Sequence, residues 1–311
     1  MPLVSAEFRT RIAQVHGAAG AEWLAALPAL LANASSLWSL RLGPPLRPLS
    51  YPYFAPALRA DGTEAILKAG VPCRGLTTEV EALRHYDGRG AARLLGVHPD
   101  GGLLLLERLR PGRALWSLAD DQQATAAAAQ VMRQLRRPVP SQHSFPTVAE
   151  WAQGLHRARQ RVAGGTGPLP AALLARAESL FAELLGSSAE PIVLHGDLHH
   201  GNILAARREP WLAIDPKGVV GEPAYEVGAL LRNPLGRLPV RPQLDELLAR
   251  RAHQLADELG LSRDRVLGWA LAQAVLAAWW CIEDGDDCGE AFVACAEALA
   301  AAPARRRPRA P

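Results

Sequence analysis

The spacing of hydrophobic residues changes along the chain and predicts two differently built halves. Residues 5–32 carry apolar side chains at helical spacing, and Pro28 interrupts the run. From Trp38 to Gly70, short strand-like segments alternate with turn residues, and Asp61-Gly62 between two of them predicts a hairpin. A helix is predicted over 76–90, and the sequence GLLLLERL at 102–109 predicts a buried strand.

The second half of the chain is mainly helical. Helical spacing covers roughly residues 114–137, 147–162 and 170–185, and most of the chain after Val227. Two short strands, IVL and WLAI, lie between Ile192 and Pro216. We therefore expect an α+β fold of two lobes: a small β-rich N-lobe with one embedded helix, and a larger helical C-lobe. The expected borders are 1–108 for the N-lobe, 109–302 for the C-lobe and 303–311 for a disordered arginine-rich tail.

Composition and charge exclude several classes of protein. Hydrophobic residues make up 49% and charged residues 21%, an ordinary globular mixture. The arginines of the last nine residues outweigh the net charge of +3, so the body is near neutral and does not indicate nucleic-acid binding. The N-terminus does not resemble a signal peptide, and the most apolar run, Val266 to Ile282, is short for a bilayer span. We expect a cytoplasmic protein, a monomer or weak dimer, that binds a small molecule.

The cysteines give no sign of a metal site or a disulfide framework. None of the four forms a CxxC pair, and three of them recur every seven residues in helical segments. The simplest interpretation is that they are small buried side chains. A reducing cytoplasm is then the expected compartment.

Lysine is rare in this chain. Only Lys68 and Lys217 occur, whereas the other 32 basic residues are arginines. Arginine is a wide planar fork, but lysine is a slim point charge that reaches a phosphate oxygen in a narrow slot. Either the two lysines survived by chance, or they occupy positions where arginine does not serve.

Polar residues that could take part in catalysis or metal binding concentrate between Ile192 and Pro216. A strand leads into the loop HGDLHHGN, which contains Asp197 and Asn202, and the next strand delivers Asp215. Two carboxylates and a carboxamide at strand ends suit an oxygen-ligated cation such as Mg²⁺, with one carboxylate left to face a hydroxyl. His199 and His200 could instead indicate zinc, but a third soft ligand at a familiar spacing is missing. His195 is interpreted as a structural hydrogen-bonding group of the loop.

These motifs resemble the aminoglycoside phosphotransferase superfamily, whose members are small-molecule relatives of the protein kinases. More narrowly, LHGDLHHGNIL, WLAIDPKGVVGEPAYEVG and ALRHYDGRGAARLL are similar to the streptomycin 6-phosphotransferase and hydroxyurea phosphotransferase family. The resemblance extends from about Leu37 to Gly285. It implies a protein-kinase-like fold and an ATP-dependent, Mg²⁺-dependent transfer of phosphate to an alcohol, with GTP not excluded as the donor.

The resemblance assigns roles to individual residues. It makes Asp197 the catalytic aspartate that orients the acceptor hydroxyl, Asn202 and Asp215 the Mg²⁺ ligands, and Lys68 the lysine that holds the ATP phosphates. The partner of Lys68 should be a glutamate of the helix over 76–90. Glu79 lies beside the apolar stripe of that helix whereas Glu81 points away, so Glu79 is the predicted partner. The strand end at Glu107 to Leu109 should form the hinge whose backbone contacts adenine.

The acceptor site is less well marked. The resemblance implies a cationic aminoglycoside-type antibiotic, with streptomycin and its 6-hydroxyl as the preferred acceptor. Glu226 and Glu283 lie near aromatic residues in sequence and are candidates to bind guanidinium groups, and Lys217 is a candidate to contact phosphate or acceptor. A kinase of another small metabolite or of hydroxyurea, and a non-catalytic binding protein of the same fold, remain alternatives.

One departure from kinase patterns concerns the phosphate loop. No G-x-G-x-x-G motif occurs where the fold would place it, and the region GPPLRPLSYPYF has one glycine and four prolines. We interpret the stretch around Leu49 to Phe54 as a divergent nucleotide loop. No activation-loop signature follows Asp215, which argues against a protein substrate.

Overall fold

A computed structural model describes residues 3–46, 52–99, 102–161, 167–187 and 189–302. The arginine-rich tail expected at 303–311 lies outside these residues. The same is true of Leu49 to Tyr51, the first part of the expected nucleotide loop.

The N-terminal part is built on one antiparallel sheet of five strands, in the order β1-β2-β3-β5-β4. The predicted hairpin at Asp61-Gly62 joins β2 to β3: Gly62 has a φ of 81°, and the backbone N–H of Thr63 donates to Asp61 Oδ1 at 2.8 Å. The elements are α1 (Ala6–Leu37), β1 (Leu40–Leu42), β2 (Tyr53–Arg59), β3 (Glu64–Ala69), α2 (Arg74–Tyr86), β4 (Leu94–Val97) and β5 (Leu103–Glu107).

The two faces of this sheet pack against different helices. One face, which includes Leu67 and Ala69 of β3, joins a buried cluster with Trp23 and Leu27 of α1. On the other face, leucines of β5 pack against the apolar stripe of α2. Because side chains alternate along a strand, Lys68 lies on the α2 face. The sheet register therefore presents the lysine of β3 to the helix that carries Glu79.

The C-terminal part is mainly helical and has one large hydrophobic core. Helix α8 lies at its centre and packs against α5, α6 and α9. Two small antiparallel pairs, β6 with β9 and β7 with β8, lie at the surface that faces the N-lobe. The elements are α3 (Asp121–Leu135), α4 (Val148–Arg161), α5 (Ala171–Gly186), β6 (Ile192–Leu194), β7 (Ile203–Ala205), β8 (Trp211–Ala213), β9 (Val219–Gly221), α6 (Val227–Leu231), α7 (Gln243–Leu259), α8 (Arg263–Asp284) and α9 (Gly289–Ala301).

The predicted class is confirmed: a small antiparallel N-lobe with one embedded helix precedes a helical C-lobe. Three local predictions were incomplete. Helix α1 continues through Pro28 to Leu37, with its non-helical residue at Gly17. The strand β4 was not predicted, because LLGV is too short to show a strand period. The interpretation of all four cysteines as small buried side chains was wrong, since Cys281 and Cys288 form a disulfide and Cys73 is exposed.

Among the residues that the structure describes, two helices are long and apolar enough to cross a membrane by length and composition alone. In α8, 72% of the apolar window is buried inside the protein, which makes it a core helix, as predicted for Val266 to Ile282. In α1, near the N-terminus, 22% of the window is buried. Such a pattern is weak evidence for a membrane span, since core helices and signal sequences share it.

Candidate active site

The two lobes enclose a cleft of about 590 Å³. Its N-lobe wall includes Phe54, Ile66 and Leu106, and its C-lobe wall includes Asn202 and Asp215. The chain segment from Glu107 to Gly112 forms the end of the cleft where the lobes are joined. The elements that the sequence singled out therefore meet at one place.

Lys68 forms a buried ion-pair cluster at the inner end of the cleft. Its Nζ donates to both carboxylate oxygens of Glu79, at 2.6 and 2.7 Å, and to Oδ1 of Asp215 at 3.1 Å. Burial alone would lower the pKa of Lys68, but the carboxylates of Asp215 and Glu79 outweigh it and raise the pKa. The lysine is therefore charged, and only 5% of its surface is exposed to solvent.

The structure selects the expected glutamate of α2. Glu81, the alternative, accepts hydrogen bonds from the backbone N–H and the hydroxyl of Ser144, at 3.0 and 2.7 Å, away from Lys68. The helix phase predicted that Glu79 and Glu81 point in different directions, and the structure places them in two different environments.

Asp215 has an unusual backbone conformation. Its φ of 57° is rare for a residue other than glycine, and Gly218 close behind it also has a positive φ. This turn directs the Asp215 carboxylate into the cleft, where Lys68 and Lys217 lower its pKa against the opposing effect of burial. The carboxylate is consequently ionised and suited to bind a cation.

His195 fixes the loop that carries Asp197. Its Nδ1 accepts from the backbone N–H of Asp197 at 3.2 Å, so the proton is on Nε2, which donates to the carbonyl of Ile214 at 2.8 Å. Burial lowers the pKa of His195 to about 4, which keeps the ring neutral. These contacts tie the loop to the strand before Asp215, in agreement with a structural role for His195.

Asn202 and Asp215 fit a magnesium site. Asn202 Nδ2 donates to the carbonyl of Asp197 at 2.9 Å, which leaves the amide oxygen as the atom that can ligate a cation. Carboxylate and amide oxygens are preferred Mg²⁺ ligands, and water and phosphate usually complete the coordination. The described residues contain no group of three or more His, Cys, Asp or Glu side chains placed to hold a metal, so zinc lacks a ligand set.

The segment expected to form the hinge lines the cleft, and its contact with adenine stays a prediction. The N–H of Glu107 donates to the carbonyl of Arg93 at 2.9 Å. The Glu107 carboxylate is bound by Arg208 and by the N–H of Arg93. The side chain of Leu109 is buried against Leu212. Backbone groups of the segment beyond Glu107, rather than those of Glu107 itself, are therefore the ones that can contact a base.

Glu226 does not line the acceptor side of the cleft, contrary to the sequence-based expectation. Its carboxylate is buried and accepts from the backbone N–H groups of His195 and Gly196, at 2.6 and 3.0 Å. Because the side chain is buried and each oxygen accepts a backbone N–H, it is not placed to pair with an acceptor guanidinium. It instead braces the loop before Asp197.

Burial raises the pKa of Glu226 to about 7, with Asp197 adding to the effect and the two backbone N–H groups opposing it. An unfolded glutamate titrates near 4.5, so the folded state binds more protons between these values and stability falls as pH rises. We expect the free energy of unfolding to drop by up to about 3 kcal/mol between pH 4.5 and 7 from this group alone.

Chemical denaturation of the wild type and of Glu226→Gln at half-unit steps from pH 5 to 8 measures this contribution. In Glu226→Gln, the free energy of unfolding should change much less with pH than in the wild type. Glu64→Gln is the control: arginine pairing lowers the pKa of that exposed carboxyl, so its removal should leave the slope of the wild type. Parallel curves for wild type and Glu226→Gln would show that Glu226 does not titrate in this range.

Glu283 and Lys217 lie near a second cavity of about 400 Å³, on the other side of the catalytic loop. Lys217 lines this cavity together with Trp151 and Trp280. Glu283 pairs at 3.4 Å with Arg157, another lining residue. Acceptor binding by Glu283 and a phosphate contact by Lys217 stay predictions, and Glu283 would first have to leave its arginine.

Arg232 is a site residue that sequence reasoning missed. Its guanidinium lies 3.8 Å from Oδ1 of Asp197 and is only 7% exposed. It also donates to Gln273 and stacks 5.7 Å from the centre of the Phe292 ring. A buried arginine beside Asp197 places a positive charge next to this carboxylate. The sequence does contain a sign of this role: Arg232 is a charged residue within the apolar run ALLRN.

Fold and site together define the class of the protein: a small-molecule kinase with a protein-kinase-like architecture. Sequence comparison is more specific. The family model described as aminoglycoside/hydroxyurea antibiotic resistance kinase matches residues 52–285, and the chain belongs to this family. The expected resemblance is thereby confirmed.

Individual relatives agree with this assignment. The chain is 35% identical over 274 residues to streptomycin 6-kinase of Streptomyces glaucescens, covering 88% of this chain and 89% of the relative. It is 38% identical to hydroxyurea phosphotransferase of Kitasatospora aureofaciens, covering 87% and 77%. A solved structure of a choline/ethanolamine kinase family protein from Mesorhizobium loti superposes with a TM-score of 0.63 at 16% identity, covering 96% and 95%. This last similarity supports the fold alone.

Proposed function

We propose that this protein is an ATP-dependent O-phosphotransferase that phosphorylates streptomycin at its 6-hydroxyl. The observation that carries the proposal is the meeting of Lys68, Glu79 and Asp215 with the loop of Asp197 in a single cleft. The named activity of the streptomycin 6-kinase relatives, 35–36% identical over about nine-tenths of the chain, supports the choice of acceptor.

In this proposal the N-lobe holds the donor. The ammonium of Lys68, fixed by Glu79, contacts phosphate oxygens of ATP at the inner end of the cleft. The base lies against Ile66 and Leu106 and contacts the hinge backbone beyond Glu107. The same groups would accept GTP if the hinge tolerates its base, so the donor is to be tested with both nucleotides.

Asn202 and Asp215 would hold Mg²⁺. When bound, the ion neutralises negative charge on the phosphates and helps to position them. Lys68 also contacts Asp215, so the position of the lysine and the position of the metal ligand depend on each other. Lys217 adds positive charge behind this site.

Asp197 acts on the acceptor. Its carboxylate accepts a hydrogen bond from the acceptor hydroxyl, aligns the oxygen with the γ-phosphate and takes the proton as the new O–P bond forms. The proton moves late, because the transition state of phosphate transfer is loose. Arg232 holds the carboxylate in place. We further propose that the protein works in the cytoplasm, where ATP is available, as a monomer or weak dimer.

The proposal is tested by incubating purified protein with MgATP and an acceptor panel of streptomycin, hydroxyurea, other aminoglycosides and amino alcohols. Mass spectrometry should detect a single phosphate on streptomycin, and NMR of the product should locate it on the 6-hydroxyl. Hydroxyurea is the second acceptor to examine, because a relative with that named activity is 38% identical. ATP turnover without any phosphorylated streptomycin would reject the acceptor while leaving the kinase class intact.

A further inference from the structure

Trp116 has an exposed aromatic face at the mouth of the cleft. All eight tryptophans lie in the described part of the chain, and Trp116, 42% exposed, is the only one with more than a third of its surface in solvent. It lies in the 3₁₀ turn Leu115–Ser117 and lines the cleft together with His199 and Asn202. An exposed indole beside a catalytic loop indicates ligand contact more than stability.

A guanidinium group already occupies this face. The guanidinium carbon of Arg237 lies 5.4 Å from the centre of the Trp116 ring, within the range of a cation–π contact. Arg237 is exposed, and in the described part of the chain no carboxylate lies within ion-pair distance of it. The indole face is therefore the partner that the structure gives to this cation.

The ring is also close to the catalytic carboxylate. A Cβ atom on Gly201 would lie 2.8 Å from the Trp116 ring and 3.0 Å from the ring of His199, so both rings pack around this glycine. The far nitrogen of the same histidine lies 3.9 Å from Oδ2 of Asp197. His199 thus lies close both to Asp197 and to the glycine against which Trp116 packs.

Arg232 and Arg237 belong to one chain segment that contacts both Asp197 and Trp116. Arg232 contacts Asp197, and five residues later Arg237 covers Trp116. An acceptor bound at Asp197 would therefore lie near both this segment and the Trp116 turn. A cation on the acceptor would meet the indole face only if Arg237 moved away, which an exposed side chain does without disturbing the core.

We propose that Trp116 binds a guanidinium group of the acceptor and that Arg237 occupies this position when the acceptor is absent. The inference rests on the proposed function, because streptomycin carries two guanidinium groups on the ring that bears the 6-hydroxyl. With that hydroxyl at Asp197, a guanidinium of the same ring faces Trp116. Arg237 is then an internal competitor that weakens acceptor binding, and Trp116 is a specificity-determining residue for cationic acceptors.

Steady-state kinetics on four variants test the inference. Trp116→Leu should raise the KM for streptomycin about tenfold and leave the KM for ATP within about twofold, since only the acceptor loses a contact. Trp116→Phe keeps an aromatic face and should raise the KM for streptomycin about threefold or less. Arg237→Ala removes the competitor and should lower this KM about two- to fivefold.

Arg241→Ala is the matched control. Arg241 is an arginine of the same segment, about 40% exposed, but it pairs with Asp245 and Glu297 instead of an aromatic ring. Its removal should leave the KM for streptomycin unchanged. Thermal melting of each variant checks folding, and Arg237→Ala keeps the test decisive if Trp116→Leu fails to fold.

Calorimetric titration with streptomycin separates this inference from the proposed function. Binding to the wild type that weakens about tenfold in Trp116→Leu supports the subsite whether or not phosphate is transferred. Equal binding by wild type and Trp116→Leu, or an increase in the KM for ATP instead, overturns the subsite alone. An unchanged KM for streptomycin in Arg237→Ala overturns the role of Arg237 as a competitor. A wild type that neither binds nor phosphorylates streptomycin overturns both.

Discussion

Replacing Asp197 with alanine should reduce kcat for phosphate transfer about a thousandfold and leave the affinity for MgATP within about threefold. The expected size is that of a positioned general base, which contributes roughly a hundred- to ten-thousandfold. Affinity should persist because in the proposed function Asp197 acts on the acceptor, whereas Lys68 and Asp215, which contact each other, hold the donor. Coupled ATPase kinetics give kcat, and fluorescence titration with a nucleotide analogue gives affinity.

Asp215→Ala is the informative comparison for this experiment. It removes the proposed charged ligand for Mg²⁺ and one of the two carboxylates that pair with Lys68. Nucleotide affinity in the presence of Mg²⁺ should fall at least about tenfold, together with turnover. The division of roles between the two aspartates would be wrong if both variants lost nucleotide affinity to the same extent.

The sequence predicted the donor side of the site more completely than the acceptor side, for physical reasons. Lys68, Glu79, Asn202 and Asp215 occupy fixed positions on a strand, a helix and two strand ends. The resemblance to the kinase family assigned Lys68, Asn202 and Asp215, and local periodicity determined which face of α2 carries Glu79. The choice of Glu79 over Glu81 needed only the phase of one helix.

Residues that act through long-range contacts could not be assigned in this way. Glu226 was interpreted as an acceptor ligand because Tyr225 lies next to it in sequence. Its actual partners are backbone groups thirty residues earlier, which no local pattern reveals. Arg232 and Trp116 were missed for the same reason, since their importance depends on packing beside Asp197 and Gly201.

Lys68→Arg should lower kcat/KM at least about tenfold, equivalent to roughly 1.4 kcal/mol of transition-state stabilisation. The ammonium lies in a slot that is almost fully buried, between the Glu79 carboxylate at 2.6 Å and Asp215 at 3.1 Å. The ring of Phe54 lies 5.4 Å away, so a wider guanidinium has little space there. Lys68→Met removes the charge and should cause a larger loss, on the order of a hundredfold or more.

A double variant separates the chemical role of Lys68 from its structural role. Lys68→Met leaves the buried Glu79 carboxylate unpaired, which should destabilise the fold by about 3 kcal/mol. Adding Glu79→Gln removes that charge and should restore much of the stability, because a neutral pair no longer needs a counter-ion. Activity should stay as low as in Lys68→Met, since the phosphates still lack an ammonium. Thermal melting and kcat/KM, measured on the same preparations, separate the effect on stability from the effect on activity. For the earlier prediction, wild-type kinetics in Lys68→Arg would refute a requirement for the shape of lysine.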